Sequence, residues 1–195
     1  MRRGSYHRQA TDANRDLDIP AALNQFAFND PTGVMGQIAY DAGRVHRLFE
    51  TARQHNGAVT VYALYANLDA LRTDHWVNGA QQPPLYLDPA DLHRAIAAMA
   101  DQIAKLTQSQ PADPRVVAEY RTSMRLWQHG AKRLLIAQDD PTYSLDQMAA
   151  ELRELRAEYV TNWLSRNRPG GLADSLTRLD RLAADYAPRT EPVQS

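Results

Sequence analysis

The sequence predicts an all-α protein, an antiparallel helical bundle of about six to seven helices joined by short connections. Three observations predict it. Apolar residues recur at steps of three and four along nearly the whole chain, the spacing that lines one face of a helix. Four Asp-Pro steps, at 30–31, 88–89, 113–114 and 140–141, punctuate that pattern. Asp caps a helix and Pro suits its first turn, so the first three read as helix starts and the fourth as part of a turn. No run alternates apolar and polar residues as a strand would; Val59-Thr60-Val61-Tyr62 is the only β-like stretch, and it continues into a helical pattern.

The elements follow in order. Residues 1–17 are polar, mixed in charge and aperiodic, and are expected to be a disordered tail or linker, as are residues 187–195. A single domain is expected over 18–186. Ile19-Pro20 opens a short helix whose apolar side is Leu23, Phe26 and Phe28. Val34, Ile38, Ala42, Val45, Leu48 and Phe49 make the next, ending before Asn56-Gly57. Val61, Leu64, Leu68 and Leu71 make a third. Residues 73–87 form the longest irregular segment. Three long helices follow, over 88–109, 113–138 and 144–167. Their stripes are Leu92/Ile96/Met99/Ile103/Leu106, Val117/Tyr120/Met124/Trp127/Ala131/Leu134 and Leu145/Met148/Leu152/Leu155/Tyr159/Trp163. Ser144, with Gln147 three residues on, is a capping box for the last. Pro169-Gly170-Gly171 breaks that helix, and Leu172, Leu176, Leu179, Leu182 and Tyr186 mark a final one. The stretch 144–186, a helix, an elbow and another helix, is expected to be what the remaining helices pack against.

Composition narrows the function. With 44% hydrophobic and 23% charged residues, the chain reads as a soluble globular protein. A net charge of -1 argues against a general binder of nucleic acid or anionic membrane. The absence of cysteine excludes disulfides, thiol nucleophiles and thiolate metal sites. No apolar run approaches membrane-spanning length and nothing reads as a secretory leader, so a cytoplasmic location is expected.

The elbow carries a family signal. The string Trp163-Leu164-Ser165-Arg166-Asn167-Arg168-Pro169-Gly170-Gly171-Leu172, then Ser175, resembles the C-terminal helical region of bacterial glycoside hydrolase family 20 enzymes, the β-N-acetylhexosaminidases. A weaker echo lies in Phe28-Asn29-Asp30-Pro31 and Gly33-Val34-Met35-Gly36. In those enzymes such helices follow a catalytic (β/α)8 barrel. The resemblance implies an accessory role: packing on a catalytic barrel, in cis or separately encoded, or mediating self-association as a homo-oligomer. A free-standing helical interaction domain is the alternative.

No catalytic residue is assigned. Family 20 chemistry uses an Asp-Glu dipeptide, one carboxylate steadying the substrate acetamido group and the other donating a proton. The sequence has no such dipeptide, and its only adjacent carboxylates, Asp139-Asp140, read as a turn. The chain alone is therefore expected not to be an enzyme. No metal or cofactor is expected either, because the six histidines show no ligand spacing and no Gly-rich phosphate loop is present. Two groups stand out as contact residues. Arg166, Asn167 and Arg168 exceed what a helix break needs and are candidates for a partner-docking surface; local capping of carbonyls is the competing role. His75, Trp76 and Asn78, in the irregular segment, are candidates for a loop contact, with simple anchoring as the competing role.

Overall fold

A computed structural model describes residues 17–49, 58–73, 75–77, 80–82 and 87–187. The predicted tails, apart from Leu17 and Ala187, lie outside the described residues, as does Asn78.

The protein is an all-α helical bundle. Among the described residues the helices are α1 Ile19–Leu23, α2 Val34–Gly43, α3 Ala58–Tyr62, α4 Leu68–Arg72, α5 Pro89–Lys105, α6 Arg115–Ala137, α7 Leu145–Arg166 and α8 Leu172–Asp185. The long ones start where local chemistry dictates. The Asp88 side chain accepts the Ala90 amide, with Pro89 in the first turn, and Ser144 with Gln147 forms the full capping box.

The paired side chains give the helix directions. Rising along α6, Arg115, Asn162's partner Ala118, Thr122 and Lys132 meet Ser165, Asn162, Glu158 and Glu151, in falling order along α7. In the same way His93 and Ile96 of α5 meet Asp140 and Gln128, and Arg156 and Trp163 of α7 meet Asp180 and then Gly171 at the start of α8. The four long helices are successively antiparallel, as their short connections require.

The hub is α6, which packs against α3, α4, α5 and α7, rather than the 144–186 stretch expected to organise the fold. Its buried residues Met124, Trp127, Ala131, Leu134 and Leu135 join Leu92 and Met99 of α5 and Met148 and Leu152 of α7 in one core. Helix α7 buries only its N-terminal half. Met148, Leu152 and Leu155 are buried, whereas Tyr159 and Trp163 are half-buried and Leu145 is exposed. Expecting Trp163 in the core was therefore incorrect: its ring is half-buried and folds over the turn into α8, against Gly171.

Three further expectations are corrected. Phe26 does not face the core but is 82% exposed. The backbone widens into a π-helical turn over Asn24–Phe28, which shifts the apolar register and buries Phe28 instead. The single helix expected from Val61 to Leu71 is two, α3 and α4, because the Asn67 side chain caps a new helix by accepting the Ala70 amide. The irregular segment contains an antiparallel strand pair, His75–Val77 with Ala80–Gln82, in which Trp76 pairs with Gln81.

The Asp30-Pro31 step acts at one remove. Helix α2 begins three residues later, at Val34, and buried Asp30 accepts the amides of Thr32, Met35 and Gln110. Burial pushes its carboxyl up, but these amides and the Thr32 hydroxyl outweigh that and hold it below the ordinary value. Asp30 thus ties the start of α2 to the α5–α6 connection.

Candidate functional site

Two places concentrate polar chemistry, the elbow singled out by sequence and an interior network that was not.

At the elbow, Arg166 in the last turn of α7 reaches across to α6. Its guanidinium pairs with the Glu119 carboxylate and lies 2.9 Å from Asp113. Both contacts raise the Arg166 pKa, the Glu119 hydrogen bond most. Arg115 completes the cluster, bridging Asp113 and the Ser165 carbonyl. Arg166 therefore fastens α7 to α6. The Trp163 indole folds over the corner: its Nε1 donates to the Arg168 carbonyl at 3.0 Å, and its ring faces Gly171. Gly171, at φ +81°, adopts the left-handed conformation that glycine tolerates best and starts α8. Residues 164–171 are all exposed, and Leu164 is 48% exposed. Asn167 ends α7 in an extended conformation through its backbone. Among the described residues, the side chains of Asn167 and Arg168 make no hydrogen bond or ion pair. The structure thus separates the three candidates: Arg166 is engaged within the chain, while Asn167 and Arg168 are presented outward. The backbones of His75 and Trp76 lie in the first strand of the hairpin.

The interior network lies between α6, α7 and α8. Arg133 is completely buried, and its guanidinium donates to the carbonyls of Ala63 and Ala66, the Tyr186 hydroxyl and the Asp185 carboxylate. His129, one turn earlier and also fully buried, has Nε2 2.8 Å from the same hydroxyl and Nδ1 3.5 Å from Glu151. Donor counting sets the tautomer. The Tyr186 oxygen accepts from Arg133, so its own proton goes to Nε2, and His129 carries its proton on Nδ1, facing Glu151. At 3.5 Å that contact is electrostatic rather than a good hydrogen bond, and Nδ1 has no hydrogen-bond partner. Lys132 Nζ lies 2.9 Å from both Glu151 oxygens and 5.3 Å from the Tyr143 ring centroid. That ring stacks on His93, which is 3.1 Å from Asp140.

Burial pushes the His129 imidazole below its ordinary value despite Glu151 beside it. It also pushes the Tyr186 hydroxyl up to about 12. Burial pushes the Glu151 carboxyl up, but His129 and Lys132 outweigh that and hold it below the ordinary value. Hydrogen bonds from Thr142, then His93, hold Asp140 down at about 2. Every strong donor here is turned toward a neighbour in the same chain, so the network's evident chemistry is to fasten α8 and the 63–66 turn onto α6. Sequence reading missed it. Its signal was Arg133, a charged residue directly before the apolar run Leu134-Leu135-Ile136, with His129 one turn away.

The network makes stability depend on pH with a definite sign. His129 binds its proton less readily folded than unfolded, so the unfolded state holds more protons below the ordinary value of 6.5. Stability should fall as pH drops through that value, well before the lowered carboxylates Glu151 and Asp140 titrate. Urea midpoints at pH 7.5 and 5.5 check this. The parent should lose stability across that interval and His129→Gln should lose less; equal losses would remove His129 from the account.

Among the described residues no helix is long and apolar enough to cross a membrane, and no group of three or more His, Asp or Glu side chains is arranged to hold a metal ion. Compared with protein-family models, curated proteins and solved structures, the chain matches none.

Proposed function

We propose that this chain is a non-catalytic helical accessory module, resembling the C-terminal helices of family 20 β-N-acetylhexosaminidases, that docks through its elbow. The partner is a catalytic barrel or a second copy of the chain. One observation carries the reading: the corner is held still while its polar tips are unused. Arg166 on Glu119 and Asp113, and Trp163 on the Arg168 carbonyl, hold the backbone in place. Asn167 and Arg168 are left exposed beside exposed Leu164. A fixed backbone lowers the ordering cost of association, and arginine is a favoured interface residue.

The test replaces Asn167 and Arg168 together with Ala. Thermal stability should hold within about 0.5 kcal/mol, as for surface changes without partners. Association, read by light scattering and by pull-down with a family 20 barrel, should be lost. Retained association in a folded double variant would sink elbow docking. The second reading, a free-standing interaction domain without a glycosidase link, is favoured by Phe26, a large apolar ring 82% exposed. If Phe26→Ser abolishes self-association while the elbow variant does not, that reading takes precedence.

A further inference from the structure

A groove of about 360 Å³ runs between α8 and the turn joining α3 to α4, lined by Leu64, Tyr65, Asn67, Arg178, Arg181 and Leu182, among others. Its charges are unequally matched. The acidic residue on its wall, Asp185, is bonded at 2.7 Å to buried Arg133, so its charge is already offset. Arg178 donates to the Tyr65 hydroxyl at 3.0 Å, and its guanidinium lies 5.0 Å from that ring's centroid. Those contacts hold the side chain in place without neutralising it. Arg181, one turn on along the same helix, makes no ion pair among the described residues. Two arginines three apart on a helix share a face, and one of them is already oriented.

We propose that this groove binds a small organic carboxylate. Arg178 and Arg181 receive the carboxylate, and its apolar body lies against Leu64, Leu182 and the Tyr65 ring. The volume falls within the range of small-molecule sites, and apolar walls with a few placed cations fit such a ligand. Inorganic phosphate has no apolar body to lay against Leu64 and the Tyr65 ring, so it is the poorer fit. This site does not depend on elbow docking.

The experiment titrates benzoate, acetate and inorganic phosphate, at matched ionic strength, into the full chain and follows backbone amide shifts. Benzoate should give saturable shifts confined to residues 64–67 and 178–185, with a dissociation constant of about 1–10 mM for so few contacts. Acetate and phosphate should bind more weakly. Arg181→Gln, which removes no hydrogen bond or ion pair among the described residues, should keep the parent melting temperature and bind benzoate about tenfold less tightly, the loss of one charge-assisted pair. Arg178→Gln should weaken it similarly, and Arg121→Gln, on α6, should change nothing. Shifts that fail to saturate, that persist unchanged in Arg181→Gln, or that phosphate matches at the same residues would overturn the proposal.

Discussion

Replacing Arg133 with Ala should lower the unfolding free energy by about 3–5 kcal/mol, the cost of breaking a buried pair from one side. The expectation rests on what is left behind. The carbonyls of Ala63 and Ala66 lose their guanidinium donor, Asp185 is left without its cation, and the Tyr186 hydroxyl loses a donor. Each abandoned buried group costs about 1–3 kcal/mol, although relaxation and water entry keep the costs from adding in full. Arg133→Met is the informative companion, because it keeps most of the volume and removes only the polar contacts. A loss nearly as large in Met as in Ala would assign the effect to hydrogen bonding; recovery in Met would assign it to packing. Urea unfolding of both variants decides. A loss under about 1 kcal/mol in the Ala variant would mean that the network does not hold α8 in place.

Gly130→Ala should destabilise by about 1–3 kcal/mol, the usual range for overpacking a filled site. On α6 the residue meets α3 so closely that an added Cβ would overlap the Thr60 carbonyl oxygen and lie 3.0 Å from its carbon. Backbone cannot rotate away as a side-chain tip can, so the two helices must part. The loss is expected even though Ala is favoured over Gly by about 1 kcal/mol in an open helix interior. Gly43, at the end of α2, supplies the control with the opposite sign. Nothing lies within 4 Å of its added Cβ, so Gly43→Ala should leave stability unchanged or raised. Melting temperatures of the two variants test the pair. If both rise, intrinsic helix propensity rather than the close approach to Thr60 governs Gly130.

Sequence periodicity was sufficient for the long helices because it acts locally; among the shorter ones, the stripe expected as one helix from Val34 to Phe49 is α-helical only to Gly43 and turns 3-10 over Val45–Leu48. The capping box at Ser144, the Asp88-Pro89 start and the Pro169-Gly170-Gly171 break draw on residues within a turn or two of themselves. Such signals survive in any tertiary context, and they placed the ends of the long helices within about two residues, except that α5, expected to reach 109, ends at Lys105 and tightens into a 3-10 turn over Leu106–Gln108. Arg166 was legible only as a residue for docking or for capping local carbonyls; that α6 holds it through Glu119 and Asp113 was not. The other features depend on which surfaces meet. Phe26 fits an apolar stripe, yet it is left in water because it sits within the π-helical turn over Asn24–Phe28. Val61 to Leu71 carries one continuous helical pattern, yet it divides where Arg133, more than sixty positions away in sequence, takes the Ala63 and Ala66 carbonyls. His129, Glu151 and Tyr186 show no motif, since their spacing exists only across three helices. Local hydrogen bonding and hydrophobic period are properties of neighbours along the chain. The burial of a charge, the close approach of two backbones and the sharing of a proton are properties of neighbours in space, and only packing brings those together.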